Sequence, residues 1–232
     1  NLVDLQKFTV EQGADIGLAF DGDADRCFVV DERGEPVSAS SISALIARRT
    51  LAAHPGATII HNLITSQAVP EIIAEHGGTP VRTRVGHSYI KAEMARTGAR
   101  FGGEHSAHYY FADFFNADSG LVAALHVLAA LAEQDAPLSE LMAEYNRYAA
   151  SGEINSEVSD QEAATQRVID AFAARTAKLD RLDGVTVWLK DTKAWFNVRA
   201  SNTEPLLRLN VEAETAAEVD ALVEEILGII RA

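Results

Sequence analysis

Between two apolar runs, DIGLAF (15–20) and CFVVD (27–31), lies the segment Phe20-Asp21-Gly22-Asp23-Ala24-Asp25-Arg26. Three carboxylates at alternate positions repel one another unless a cation is bound. Hard oxygen ligands select Mg²⁺ or Ca²⁺ over zinc, and three protein ligands leave places for water and a phosphate oxygen, which is how Mg²⁺ is usually held. A solvated turn is the plain alternative, since Asp and Gly favour turns on their own. An EF-hand loop also begins with alternate Asp, and Glu32 falls at its twelfth place. Its sixth place, however, should be glycine and is Arg26, and the flanks read as strands. Arg26 is either a charge partner for the loop or a bidentate contact for a substrate phosphate.

A strand followed by Asp-x-Asp also resembles phosphatases that use an aspartate nucleophile, with Asp21 attacking and Asp23 as general acid. Asp25 stands where that family prefers Thr or Val. The second cluster is Gly102-Gly103-Glu104-His105-Ser106-Ala107-His108. Glu and Ser together can accept from and donate to vicinal sugar hydroxyls, and a histidine near neutrality can move protons; a surface loop with chance polar residues is the alternative. Gly86-His87-Ser88 with Lys91 opens a helix. Ser88 reads as its N-cap and Lys91 as a solvated residue, or the helix start with His87 and Lys91 binds an anion. In the last third, Arg199-Ala200-Ser201-Asn202-Thr203-Glu204-Pro205 offers a guanidinium, two hydroxyls and an amide as a phosphate cradle. Its alternative is a hairpin turn.

These loops need elements to hold them. Residues 1–148 alternate short apolar runs with helical patterns: ISALIARRTLAA (42–53), ATIIHN (57–62), SQAVPEIIAEHGG (66–78), PVRTRV (80–85), SYIKAEMART (88–97), ARFGGE (99–104) and HYYFA (108–112). Asp118 or Ser119 caps the long helix that follows. The pattern predicts an α/β mixed-sheet layer domain whose sheet is largely parallel. Pro137, Ser151 and Gly152 mark a shift, with the boundary near 148. Residues 149–232 predict a smaller α+β domain: a strand, a helix over 161–177, three strands from 185 to 213, and a last helix over 216–231. Its sheet is antiparallel, VTVWLK and AWFNVRA form a hairpin, and helices cover one face.

The 232 residues carry a net charge of −14, and 47% are hydrophobic, the composition of a soluble globular chain rather than a disordered one. Acidic balance without a basic patch argues against nucleic acid and anionic membrane. The apolar run LVAALHVLAALA (121–132) is too short to span a bilayer. One cysteine excludes a disulfide framework and agrees with a cytoplasmic protein. The chain opens at Asn1, directly in an amphipathic segment, so a fragment of a longer polypeptide is expected.

Taken together and in order, DGDADR, GEHSAH and RASNTEP resemble the metal, sugar-recognition and phosphate-binding loops of the α-D-phosphohexomutases. The resemblance covers the whole chain and implies the third and fourth domains of a four-domain enzyme. Ala107 and RASNTEP look most like the phosphomannomutase branch, some of whose members also take glucose phosphates. The resemblance implies transfer between the 1- and 6-positions of a hexose phosphate through a phosphoserine and a hexose 1,6-bisphosphate. Carried over, Asp21, Asp23 and Asp25 hold Mg²⁺. Glu104 and Ser106 hold sugar hydroxyls. His108, with His87 as second candidate, moves protons, and Arg26 serves the reacting phosphate. Arg199, Ser201, Asn202 and Thr203 grip the other phosphate. The family's Thr-Ala-Ser-His-Asn-Pro serine loop is not in this sequence, and Ile64-Thr65-Ser66-Gln67 does not match it. The expectation is therefore a piece that needs the amino-terminal domains of its polypeptide and is inactive alone. A Mg²⁺-dependent phosphohydrolase using Asp21, or a non-catalytic sugar-phosphate-binding module, remain the readings of other classes.

Overall fold

The computed structural model describes residues 2–201 and 204–232, which divide into two compact units, Asn1–Arg147 and Tyr148–Ala232. The first begins with helix α1 (Val3–Gln12) and a three-stranded sheet of β1 (Ile16–Phe20), β2 (Cys27–Asp31) and β3 (Pro36–Val37). It continues through α2 (Ala39–Ala53), β4 (Thr58–Asn62), α3 (Ala68–Glu75), β5 (Thr79–Thr83), α4 (His87–Thr97), β6 (Phe101–Gly103), β7 (Tyr109–Phe111), β8 (Ala117–Asp118), α5 (Gly120–Ala132) and α6 (Leu138–Ala143).

The expected mixed sheet is present, but its largely parallel character needs correction. β1, β2 and β3 form their own antiparallel sheet, because the loop between β1 and β2 is too short for a parallel crossover. The second sheet runs β5-β4-β6-β7-β8, parallel from β5 to β6 and antiparallel beyond. Helices cover both faces of it. A Cβ on Gly102 would meet Ile90 and Met94 of α4, whereas one on Gly103 would meet Ser43 of α2 at 2.3 Å. Neighbouring strand residues point to opposite faces, so α4 and α2 lie on opposite sides. β4 is buried from Ile59 to Asn62, which is why TIIHN reads as a continuous run rather than an alternation.

Helix ends follow local chemistry. Ser119, not Asp118, caps α5, its Oγ accepting from Val122 N at 3.3 Å. Ser88 is not the cap of α4 as expected; Gly86 holds that place and Ser88 lies one residue inside the helix.

The second unit comprises β9 (Ala149–Glu157), α7 (Gln161–Phe172), β10 (Thr176–Asp180), β11 (Val185–Leu189), β12 (Trp195–Ala200), β13 (Leu206–Ala213) and α8 (Ala216–Ile230). Its sheet, β10-β11-β12-β13-β9, is antiparallel throughout. Val185, Val187 and Leu189 alternate with Phe196 and Val198, and with Leu207, Leu209 and Val211, to form one apolar face. Phe172 of α7 and Leu222 and Ile226 of α8 close that face, with Phe172 edge-on to Phe196 at 4.9 Å. The helix expected over 161–177 stops at Phe172. Thr176 Oγ1 donates to the Phe172 carbonyl at 2.9 Å, and the chain then enters β10. No glycine or proline marks that stop, so a run rich in helix formers hid an edge strand.

One buried base sits in β4. His61 is 5% exposed, its Nδ1 is 3.1 Å from the Asn62 carbonyl, and burial lowers its pKa to about 4. The neutral ring therefore belongs to the fold, and the unfolded chain binds the proton more tightly. Stability from this residue is complete above about pH 6.5 and is lost as pH falls toward about 4, a change of about 3 kcal/mol. Urea titrations at successive pH values should show this fall, and His61→Gln should make it shallower.

Candidate active site

The acidic loop is a hairpin turn of fixed shape. Ala24 takes a left-handed φ of 59°, and its N–H donates to the Asp21 carbonyl at 3.2 Å. This winding gathers the three carboxylates: one oxygen each from Asp21, Asp23 and Asp25 lies within 4.8 Å of the others. Arg26 folds back on Asp21, donating from N to Oδ1 at 3.2 Å and from Nε to Oδ2 at 2.6 Å. That pairing is the largest cause holding the Asp21 carboxyl below the usual range. Asp25 is pushed the other way, first by burial and then by its acidic neighbours. Its Oδ1 is buried and has no hydrogen bond among the described residues, though Arg26 Nε lies 3.8 Å away. A buried oxygen without a hydrogen bond among three hard donors fits a small divalent cation.

The second cluster adjoins this loop through main chain. Cys27 N donates to the Ala107 carbonyl at 3.3 Å, and Arg26 and His108 form an antiparallel bridge. His108 Nε2 is thereby 3.6 Å from Asp25 Oδ1. Its Nδ1 shares a hydrogen bond with Ser106 Oγ at 3.0 Å and is 4.0 Å from Glu104 Oε1. Ala107 is also left-handed, with φ 69°.

Glu104 is only 2% exposed. Its Oε1 accepts from the Tyr110 hydroxyl at 2.6 Å, and its Oε2 from Asn62 Nδ2 and Gly86 N, both at 3.3 Å. A carboxylate has about four acceptor positions, and three are taken here. Thr65 Oγ1 donates to Asn62 Oδ1 at 2.7 Å and so sets which end of the amide faces Glu104. Tyr110, Asn62 and Thr65 surround Glu104 or its partner, and sequence reasoning missed them. Only their placement at the end of β4, just after it and within β7, at the same sheet end, reveals them.

His87 lies exposed at the start of α4, one residue beyond the Gly86 N–H that touches Glu104. Lys91, one turn further, is not merely a solvated residue: its Nζ is 2.9 Å from Asp118 Oδ1. Asp21, Asp23, Asp25, Arg26, Glu104, Ser106 and His108 thus gather in the first unit, with His87 at their margin.

Arg199 and Ser201 belong to the second unit; Asn202 and Thr203 lie outside the described residues. Arg199 is 7% exposed and pairs with Glu153 of β9. Burial lowers its pKa. Arg208, opposite Arg199 in the β12–β13 register, is 3.4 Å from Glu153 and also donates to Ser201 Oγ at 3.4 Å. Glu153 lies between the two guanidiniums, and Asp183 is a second acid acting on Arg199. The more exposed member is Arg208, which sequence reasoning did not single out. Its signal was the hairpin register, which sets Arg208 across from Arg199.

Comparison with known proteins adds three domain matches. Residues 38–148 match Phosphoglucomutase/phosphomannomutase, alpha/beta/alpha domain III, and residues 153–229 match the C-terminal domain of the same family. Residues 1–34 match its alpha/beta/alpha domain II, so the match reaches back beyond domains III and IV and places the acidic loop in the domain II part. The chain is 40% identical over 229 residues to a phosphomannomutase of Methanocaldococcus jannaschii, covering 99% of this chain and 50% of that protein. It is 41% identical to a phosphomannomutase of Salmonella montevideo, covering 98% and 50%. The crystal structure of a phosphoglucomutase/phosphomannomutase family protein from Burkholderia thailandensis superposes with a TM-score of 0.83 at 29% identity, covering 100% of this chain and 50% of that one. The chain spans about half the length of the relatives it matches.

Two substitutions test this geometry. Gly120 N donates to the Ala24 carbonyl at 3.0 Å, and a Cβ on Gly120 would lie 2.4 Å from the Arg26 carbonyl oxygen. Gly120→Ala should therefore displace the acidic loop and weaken Mn²⁺ binding, read by electron paramagnetic resonance, by about tenfold. Arg199→Ala removes a charge-assisted bond from Glu153 and should cost the second unit about 2 kcal/mol in urea unfolding.

Proposed function

The chain belongs to the phosphoglucomutase/phosphomannomutase family, and from that premise we propose that it is the carboxyl-terminal half of a phosphomannomutase. The reaction is the interconversion of mannose 6-phosphate and mannose 1-phosphate through mannose 1,6-bisphosphate. A phosphoserine on the amino-terminal domains of the same polypeptide gives and takes the phosphoryl group. The observation that carries this reading is the main-chain seam between the acidic loop and the 104–108 loop, which sets Asp25 and His108 3.6 Å apart.

Asp21, Asp23 and Asp25 have the donor set for Mg²⁺. When bound, Mg²⁺ would neutralise charge on the transferring phosphoryl group. Arg26 keeps Asp21 ionised through its Nε, and with 41% of its side chain exposed it also has terminal nitrogens for a phosphate oxygen. Glu104, fixed by Tyr110, Asn62 and Gly86, accepts one sugar hydroxyl. His108, steadied at Nδ1 by Ser106, exchanges a proton with the reacting sugar oxygen at Nε2. Arg208, Arg199 and Ser201, with Asn202 and Thr203 carried over from the motif, bind the phosphate that is not reacting. Holding that phosphate positions the reacting end.

Mannose is placed ahead of glucose because the relatives at about 40% identity are phosphomannomutases. The Asp21-nucleophile reading is disfavoured because both Asp21 oxygens accept from Arg26. The test is ³¹P nuclear magnetic resonance of the intact natural polypeptide with mannose 6-phosphate, Mg²⁺ and a trace of hexose 1,6-bisphosphate. Mannose 1-phosphate should form, Asp23→Ala should abolish its formation, and the 232-residue chain alone should be inert. Release of inorganic phosphate dependent on Asp21, or full turnover in Asp23→Ala, would overturn the proposal.

A further inference from the structure

A second set of cation ligands lies beside the acidic loop. One ligand atom each from Asp25, His108 and Asp118 falls within 4.8 Å of the other two. The set shares Asp25 with the three-carboxylate loop but differs in kind. Three carboxylates suit Mg²⁺, whereas an imidazole with two carboxylates suits Zn²⁺. Zn²⁺ held there would take up Asp25 and the His108 nitrogen together.

This set already has a positive charge of its own. Lys91 Nζ is 2.9 Å from Asp118 Oδ1, with the Asp118 side chain 11% exposed and that of Lys91 41% exposed. The same ammonium lies over the Tyr110 ring, 5.7 Å from its centroid. Strand register places Asp118 directly opposite Tyr110, so β7, β8 and α4 together fix the pair. Lys91 offsets the charge of Asp118, while Asp25 has the Arg26 Nε 3.8 Å from its Oδ1. An incoming dication would have to displace the ammonium from a well-enclosed carboxylate.

We propose that Lys91 is a metal-specificity residue. By occupying Asp118 it keeps the Asp25–His108–Asp118 set from binding Zn²⁺, so that Asp25 serves Mg²⁺ and the His108 ring stays open to substrate. The inference rests on the reading of Asp21, Asp23 and Asp25 as a Mg²⁺ loop for its consequence, but not for the second ligand set itself.

The experiment uses this chain. Zn²⁺ affinity is measured by competition with a chromophoric chelator, and folding is checked by circular dichroism and thermal melting. Lys91→Met should bind Zn²⁺ at least about tenfold more tightly than the unchanged chain, the scale on which freeing a neighbouring group alters metal affinity. Lys91→Arg, which keeps the charge, should not gain affinity. Adding Asp118→Asn to Lys91→Met should remove the gain, and adding Asp23→Asn should leave it in place. Lys91→Gln serves as the neutral variant if Lys91→Met melts early. Unchanged Zn²⁺ affinity in a folded neutral variant, or a gain that survives Asp118→Asn, overturns the inference. Mn²⁺ binding unaffected by Asp23→Asn alone would instead sink the Mg²⁺-loop reading, and so separates the two failures.

Discussion

A few backbone atoms join the acidic loop to the loop at 104–108: the Cys27 N–H on the Ala107 carbonyl, and the bridge between Arg26 and His108. The two loops come from different sheets. Without this seam the carboxylates and the His108–Glu104 cluster would be separate polar turns. The seam requires residues at the edge of allowed backbone space. Ala24 and Ala107 both take positive φ, which costs a non-glycine residue energy that surrounding structure must offset. Much of that support is Gly120, whose missing side chain lets the start of α5 lie against the carbonyls of Ala24 and Arg26.

Charge is arranged on this framework with little redundancy. Five acids (Asp21, Asp23, Asp25, Glu104 and Asp118) surround two cations: Arg26, bonded to Asp21 and 3.8 Å from Asp25, and Lys91, paired with Asp118. Glu104 is instead stabilised by neutral donors from three directions. The remaining negative charge falls mainly on Asp23 and Asp25. In the second unit, Arg199 and Arg208 face one another across two strands, which is unfavourable for like charges unless something lies between them. Glu153 does so for both, and Asp183 adds a second acid acting on Arg199.

Much of this was legible before any coordinates. Alternate Asp residues between two apolar runs marked out the acidic loop, and the clusters at 104–108 and 199–205 stood out by composition alone. The elements were legible where their pattern was strong, as in the alternating β11, β12 and β13. They were not where signals were weak. β10 followed a helix with no glycine or proline between, and the short hairpin loops split off from the expected mixed, largely parallel sheet a separate antiparallel one. Both errors concern pairing, which local propensity does not encode.

The sequence by itself determined which chemistry is possible: residue types and spacing within one loop set the donor atoms, and a loop's ligands are close because the chain is covalent. Tertiary structure alone decided which groups are free to act. Arg199 reads as an open phosphate ligand but is held by Glu153, Arg208 reads as an ordinary strand residue but reaches Ser201, and Lys91 reads as surface but is bound to Asp118. Each outcome depends on a partner 7 to 46 positions away. Such partners are chosen by strand register and helix packing, and these follow from burying the whole chain's apolar surface rather than from any one motif.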